Sequence, residues 1–197
     1  MWNRCAGRED SEVEAIFAEL NEYYSEPDRF YHTARHINHC LANMDKAEVE
    51  LGHSDTVELA IWFHDVIYIS GAPDNEQLSA EWFASKAMDS LPVDVIHQIK
   101  RYIMSTTHHE LPDDDGSKFV VDVDLSGFGL PPEYFRRDGE NIRKEFAYMS
   151  DVQFIEGQNR FMQMLLDRER IYSTSYFYKR FETQARKNIS DTLKYYQ

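Results

Sequence analysis

Histidine and aspartate residues occur in this 197-residue sequence at positions that favour a metal site. His64 and Asp65 are adjacent and lie in the middle of the apolar run 58–68, which predicts a helix buried on most sides. A carboxylate removed from water without a partner is costly, and an ion pair, a proton or a metal ion usually rescues it. About 100° separates neighbouring side chains on a helical wheel, so both groups could converge on one divalent cation.

Two more residues could complete such a site. His36 lies on a second amphipathic helix, where it shares one face with His32. Downstream, we interpret residues 119–128 as a buried helix because no other stretch would pair with a strand there, although a strand is the alternative. On that helix Asp124 falls in the buried sector, whereas Asp122 falls on the other side and could cap or orient a neighbour.

The candidate ligands are therefore His36, His64, Asp65 and Asp124. Two imidazoles and two carboxylates suit a divalent metal ion, with Mn, Mg, Co, Ni, Fe and Zn all compatible. Such an ion lowers the pKa of a bound water and polarises a phosphoryl oxygen, so phosphoester hydrolysis follows from this ligand set. The competing interpretations are a buried ion pair between His64 and Asp65 and a surface histidine at position 36.

Helical spacing of apolar residues covers most of the chain and predicts an all-α fold. We expect helices over residues 12–24, from residue 29 through 47, 58–68, 74–91, 93–108, 119–128, 133–150, 152–172 and 177–196. Neither an internal repeat nor a low-complexity linker divides the sequence. We therefore expect residues 1–197 to form a single-domain helical bundle.

Composition and charge limit the classes of partner. The formal net charge is −14, which disfavours binding to nucleic-acid polymers, but a small anionic substrate could still bind locally gathered arginines. Two cysteines cannot build a disulfide framework, and no run of about 18 uncharged apolar residues predicts a membrane span. We expect a cytoplasmic protein that does not bind membranes and could form homo-oligomers.

The ordered set His36, His64-Asp65 and Asp124 resembles the HD-domain superfamily of metal-dependent phosphohydrolases. More narrowly, a bacterial subgroup described as predicted HD phosphohydrolases shows similar motifs: Arg29-x-Tyr31-His32-x-x-x-His36-Ile37, Phe63-His64-Asp65-x-x-Tyr68, Asn75-Glu76-x-x-Ser79-Ala80, Asp122-x-Asp124-Leu125-Ser126, Ile142-Arg143-x-Glu145-Phe146 and Glu182-x-x-Ala185-Arg186-x-Asn188. The similarity runs through nearly the whole chain. It implies an all-helical HD-type domain in which the four residues ligate a metal, and it says less about the substrate.

Further candidates for catalysis lie close to these motifs. Asp65 is expected to act in catalysis as well as ligation, and Glu76 could serve as a general acid or base or hold a metal-bound water. His108 and His109 lie at the end of the predicted helix 93–108, where some HD proteins supply histidines for a second metal. Glu76 could equally be an exposed first-turn glutamate, and the two histidines could merely complement a helix C-terminus.

Substrate recognition requires positive or hydrogen-bonding groups near the metal. Arg29 and Arg35 flank His32 and His36 and are the first candidates to hold a phosphate. For His32 we favour contact with substrate over ligation. The predicted function is hydrolysis of a nucleotide or another small phosphorylated metabolite. The alternatives are a regulatory metal- and nucleotide-binding HD protein, a di-iron HD-type oxygenase, and a helical bundle with incidental histidines.

Overall fold

A computed structural model describes residues 10–196 of the chain. Within that range the protein consists of α-helices and one short 3₁₀-helix, with no strand. The elements are α1 (Asp10–Tyr23), α2 (Ala34–Leu51), α3 (Asp55–Phe63), α4 (Asn75–Ala87), α5 (Val93–Ser105), α6 (Asp115–Asp124), the 3₁₀-helix (Leu125–Gly129), α7 (Pro132–Glu145), α8 (Asp151–Asp167) and α9 (Ser175–Tyr195). The all-α prediction is confirmed, and residues 119–128 are helical rather than a strand.

Local capping explains where several of these helices begin. The side chain of Thr33 accepts the N–H of Arg35 at the start of α2, and Asp114 accepts the N–H of Ser117 at the start of α6. Ser150 and Gln153 form a reciprocal capping box at the start of α8. These side chains satisfy amide groups that the first helical turn leaves without an intrahelical acceptor.

Helix α3 lies at the centre of the fold. Leu59, Ile61 and Phe63 are almost fully buried, because α3 packs against α2, α4, α5 and α6. This burial confirms the prediction that the apolar run is covered on most sides. None of the helices within residues 10–196 combines the length and the apolarity that crossing a membrane requires.

The end of α3 differs from the sequence-based expectation. The helix ends at Phe63, so His64 is its C-cap residue and Asp65 lies in the turn that follows, rather than in the middle of a helix. Long-range and local side chains satisfy the carbonyls that this ending exposes. Arg29 donates to the carbonyls of Asp65 and Val66 at 2.6 and 2.8 Å, and the His64 ring contacts the carbonyl of Ile61.

Carboxylates distant in sequence fix two other helix boundaries, the start of α2 and the end of α8. Helix α2 begins at Ala34 rather than at residue 29, because Glu145 accepts the backbone N–H groups of residues 30–32. Helix α8 ends at Asp167 rather than at residue 172, and Glu182 accepts the N–H groups of residues 171–172. Backbone amides that would have continued a helix are thus paired with side chains.

The 3₁₀-helix connects the end of α6 firmly to α9. Asn188 on α9 donates to the carbonyls of Phe128 and Leu130 at 2.8 Å each, and Tyr172 donates to the carbonyl of Leu125 at 2.8 Å. Asn188 and Tyr172 are both buried, so these bonds are shielded from water. The position of Asp124, the last residue of α6, is consequently fixed from its C-terminal side.

Candidate metal centre

The structure brings the four candidate ligands together. The Nε2 atoms of His36 and His64 lie 3.3 Å apart. Oδ2 of Asp65 lies 3.5 Å from His36 Nε2 and 3.0 Å from His64 Nε2. Oδ1 of Asp124 lies 3.2 and 3.5 Å from the same two nitrogens. One imidazole comes from α2, one from the end of α3, and the carboxylates from the following turn and the end of α6.

These separations match those of ligands around one ion. Nitrogen and oxygen ligands about 2.1 Å from a metal, at angles of about 90–109°, lie about 3.0–3.4 Å from one another. The observed distances of 3.0 to 3.5 Å cover the same range. His36, His64 and Asp65 offer ligand atoms that all lie within 4.8 Å of one another, and Asp124 Oδ1 lies within 3.5 Å of both nitrogens. These donor types and separations fit a divalent cation.

Hydrogen bonding at His64 also favours ligation by Nε2. The Nδ1 atom of His64 lies 2.8 Å from the backbone carbonyl of Ile61, which can only accept a hydrogen bond. Nδ1 must therefore carry a proton, and in the neutral ring the lone pair is on Nε2, the atom that faces the other ligands. A backbone carbonyl commonly fixes this tautomer in metal-binding histidines.

Neighbouring charges in the cluster shift the pKa values of its carboxylates and imidazoles. Burial would raise the pKa of Asp65, but the imidazoles of His64, His32 and His36 lower it overall. Burial would likewise raise the pKa of Asp124, and hydrogen bonds from His108, His36 and His64 lower it well below its ordinary range. For His64, burial acts to lower the pKa, but the carboxylates of Asp65 and Asp124 raise it well above its usual value. Both carboxylates are thus ionised, as ligation requires.

His108 joins the group, whereas His109 does not. Nε2 of His108 lies 2.9 Å from Oδ2 of Asp124, and the buried Nδ1 has no hydrogen-bond partner among the described residues. His109 is exposed and lines a different cavity with Arg101. Neither histidine ends a helix, because α5 ends at Ser105, and His108 adopts a left-handed backbone with φ of 58°. The sequence did not show whether His108 or His109 joins the site.

The expectation that Asp124 is the more buried of the two aspartates on α6 is wrong. Asp122 is completely buried, whereas the side chain of Asp124 is 18% exposed. Asp122 accepts the N–H groups of residues 173 and 174 at 2.8 and 2.7 Å, and burial raises its pKa to about 6. Both sides of α6 are covered, so burial does not identify which of the two aspartates is the candidate ligand. Their contacts identify it, since Asp124 faces the histidines and Asp122 faces backbone N–H groups.

Glu76 lies at the wall of the same cavity. It belongs to the first turn of α4, is half-buried and lines a cavity of about 520 Å³ that also contains Asp65 and Asp124. Burial and the negative charge of Asp65 raise the pKa of Glu76. A carboxyl with a raised pKa can exchange protons closer to neutral pH than an ordinary glutamate.

Neither candidate arginine reaches the cavity. Arg29 is buried, and its guanidinium donates to Glu26 and to the carbonyls of His32, Asp65 and Val66. Arg35 is exposed on α2 and does not line the cavity. The expected phosphate contact from Arg29 or Arg35 is therefore not supported. Arg29 instead fixes the backbone turn that carries Asp65.

His32 does line the cavity, and it is oriented by a residue that sequence reasoning assigned no role. Glu145 Oε2 lies 2.7 Å from Nδ1 of His32, and Tyr68 stacks on the His32 ring with centroids 4.0 Å apart. Burial acts to lower the pKa of His32, but Asp65 and Glu145 raise it overall. In the sequence, Glu145 belonged to one of the motifs that carry the resemblance. Nothing else in the sequence indicated that this glutamate would be buried and would bind His32.

Comparison with known proteins identifies no relative. No family model matches the sequence, and no curated protein or solved structure matches it either. Functional interpretation therefore depends on side-chain geometry and on the resemblance seen in the motifs.

Proposed function

We propose that this protein is a divalent-metal-dependent phosphohydrolase that acts on a nucleotide or another small phosphorylated metabolite. The observation that carries the proposal is that a carboxylate oxygen of Asp65 and one of Asp124 each lie 3.0 to 3.5 Å from both imidazole nitrogens, which are 3.3 Å apart. Their position beside a cavity of about 520 Å³ supports access by a small molecule. The HD-type order of the same four residues supports the class of chemistry.

His36, His64, Asp65 and Asp124 would hold the ion. When bound, a divalent metal ion supplies an activated water and neutralises charge on the phosphoryl group. Mn, Mg, Co, Ni, Fe and Zn all accept this mixed nitrogen and oxygen set. Asp65 would also act in catalysis, since it lines the cavity together with His32 and its charge raises the pKa of that ring.

The remaining residues would handle protons and the phosphoryl oxygens. Glu76, with its raised pKa, is suited to accept or donate a proton at the cavity wall. His32 would donate a hydrogen bond to the substrate, because Glu145 binds its Nδ1 and favours the protonated ring. Removal of either group should slow turnover without releasing the metal.

A second candidate follows from His108. This ring contacts the Asp124 carboxylate at 2.9 Å, so Asp124 could bridge two ions if His108 ligated the second one. Such a site would suit the di-iron oxygenase alternative. Elemental analysis distinguishes these functions, since the oxygenase requires two irons per chain.

The proposal is tested by metal content and phosphate release. The protein is purified without chelator, its metals are quantified, and a panel of nucleotides and sugar phosphates is assayed with Mn²⁺, Mg²⁺, Co²⁺ and Ni²⁺. We expect metal-dependent phosphate release that Asp65→Asn abolishes and that the matched control Asp45→Asn, at an exposed position on α2, retains. Equal activity in Asp65→Asn, or no activity with any metal, would overturn the proposal.

A further inference from the structure

The cavity beside the candidate metal centre has an aromatic wall. The carboxylates of Asp65, Glu76 and Asp124 come from the turn after α3 and from α4 and α6, whereas α7 and α8 and the chain around them contribute Asp138 and five phenylalanines. These are Phe128, Phe135, Phe146, Phe154 and Phe161. Phe128, Phe135 and Phe161 pack on the core but remain partly exposed, so they retain apolar surface that a ligand could cover.

The aromatic wall begins directly beside the candidate ligands. His108 contacts Asp124 at 2.9 Å, and its ring centroid lies 5.8 Å from that of Phe161. Phe161 lies 6.1 Å from Phe128, which lies 5.8 Å from Phe135. Each separation is within the range of ordinary aromatic contacts. A molecule whose phosphate binds at the candidate metal centre would therefore have these rings within reach of its organic group.

The charges around the cavity favour a substrate with a single phosphate. Four carboxylates line it, from Asp65, Glu76, Asp124 and Asp138, while the lining residues include one arginine, Arg160, and no lysine within the described chain. A divalent ion offsets the charge of its two carboxylate ligands. The positive charge that then remains in the described lining is that of Arg160 and of a protonated His32. That is little for a di- or triphosphate, which carries several negative charges.

We propose that the substrate is a phosphate monoester whose organic group carries a flat, uncharged ring that packs against Phe161, Phe128 and Phe135. This substrate class rests on the proposed hydrolase function. In the reaction, the oxygen of water bonds to phosphorus as the ester P–O bond breaks. The organic group leaves as an alcohol after gaining a proton, and inorganic phosphate is the second product.

Binding of two phosphonates that cannot be hydrolysed tests the ring preference separately from catalysis. Naphthylmethylphosphonate and methylphosphonate have the same charged group, and only the first has a ring. By titration calorimetry with the Mn²⁺-loaded protein, we expect the naphthyl compound to bind at least about tenfold more tightly. Phe161→Ala and the milder Phe135→Leu should reduce that preference, whereas Phe17→Ala, at an exposed phenylalanine outside the cavity, should not.

Equal binding of the two phosphonates, or a preference unchanged in both cavity variants, would overturn the proposed substrate class.

Turnover tests how many phosphate groups the substrate carries. With Mn²⁺ in excess, AMP should release phosphate faster than ATP, and the reverse order would contradict the single-phosphate preference. If naphthyl phosphate and glycerol phosphate are hydrolysed equally and the phosphonates bind equally, the hydrolase function stands and this inference fails. If the naphthyl phosphonate binds preferentially but no ester is hydrolysed, the ring preference stands and the proposed hydrolase function fails.

Discussion

Buried and partly buried carboxylates occupy two kinds of surroundings in the described part of this protein. In the first kind, backbone N–H groups donate to the carboxylate: Glu145 binds residues 30–32 in addition to the His32 ring, Glu182 binds residues 171–172, and Asp122 binds residues 173–174. In the second kind, formed by Asp65 and Asp124, the side-chain partners within residues 10–196 are imidazole rings.

This difference separates structural carboxylates from candidate ligands. A backbone amide cannot lose its proton or coordinate a cation, so carboxylates of the first kind fix loops and helix ends. An imidazole can exchange its proton for a metal ion, so carboxylates of the second kind can form part of a metal site. Substitution should therefore reduce stability in the first group and metal binding in the second.

The two aspartates of α6 provide the sharpest comparison. Asp124→Ala should weaken Mn²⁺ binding by about 1,000-fold or more, since loss of even an outer hydrogen-bond partner costs 10–100-fold. Asp122→Ala should leave Mn²⁺ affinity within about threefold but lower the free energy of unfolding by about 2 kcal/mol, because two partly buried N–H groups lose their acceptor. Calorimetry and denaturant unfolding measure the two effects. Equal loss of Mn²⁺ binding in both variants would remove the distinction.

Glu145→Gln should reduce stability by about 3 kcal/mol at pH 7. Burial acts to raise the pKa of this fully buried carboxyl, but His32 and the backbone amides of residues 30–32 lower it from 4.5 to about 2. A shift of that size corresponds to about 3 kcal/mol of stability, present above pH 4.5 and lost as the pH falls towards 2.

The pH dependence provides the check on Glu145. The difference in unfolding free energy between the wild type and Glu145→Gln should be constant near neutral pH and shrink as the pH falls below about 4.5. Denaturant titrations over this range measure it. A difference that stays constant down to pH 3 would show that ionisation of Glu145 does not stabilise the fold.

Metal binding should tighten as the pH rises. Asp65 and Asp124 raise the pKa of His64 above its usual value, so in the absence of an ion this ring holds a proton that Mn²⁺ must displace. Below that pKa, the affinity for Mn²⁺ should increase about tenfold per pH unit for each proton released. Calorimetry in buffers of different ionisation enthalpy counts these protons. Binding without proton release between pH 5 and 8 would contradict the assigned role of His64.

The smallest effect is expected at His108. Asn tolerates the left-handed backbone found there, so His108→Asn removes the ring with little backbone strain. Loss of its contact to Asp124 should weaken binding of the first Mn²⁺ by about tenfold. A fall from two bound ions to one would instead identify His108 as a ligand of a second metal.

Sequence patterns predicted the helices better than their ends. Apolar spacing located α3 and its burial, but it extended the helix past Phe63, because the groups that satisfy the helix end include Arg29, more than 30 residues away. The same limitation placed the start of α2 too early. Glu145, which pairs the amides of residues 30–32, is distant in sequence and gives no periodic signal.

The site was also only partly predictable. The order and types of His36, His64, Asp65 and Asp124 identified the residues that the structure brings together. Arg29 was a reasonable phosphate ligand by residue type, but its donors are occupied by Glu26 and by backbone carbonyls. Composition likewise could not show which of the 12 phenylalanines line the cavity, since core and cavity phenylalanines have the same helical spacing.

The most direct measurement is anomalous diffraction from crystals of the protein grown with Mn²⁺. We expect one strong anomalous peak about 2.0–2.3 Å from His36 Nε2, His64 Nε2 and a carboxylate oxygen each of Asp65 and Asp124. If no peak lies among these four side chains while Mn²⁺ is present in excess, they form a buried hydrogen-bonded cluster. That result would contradict both the metal centre and the hydrolase function built on it.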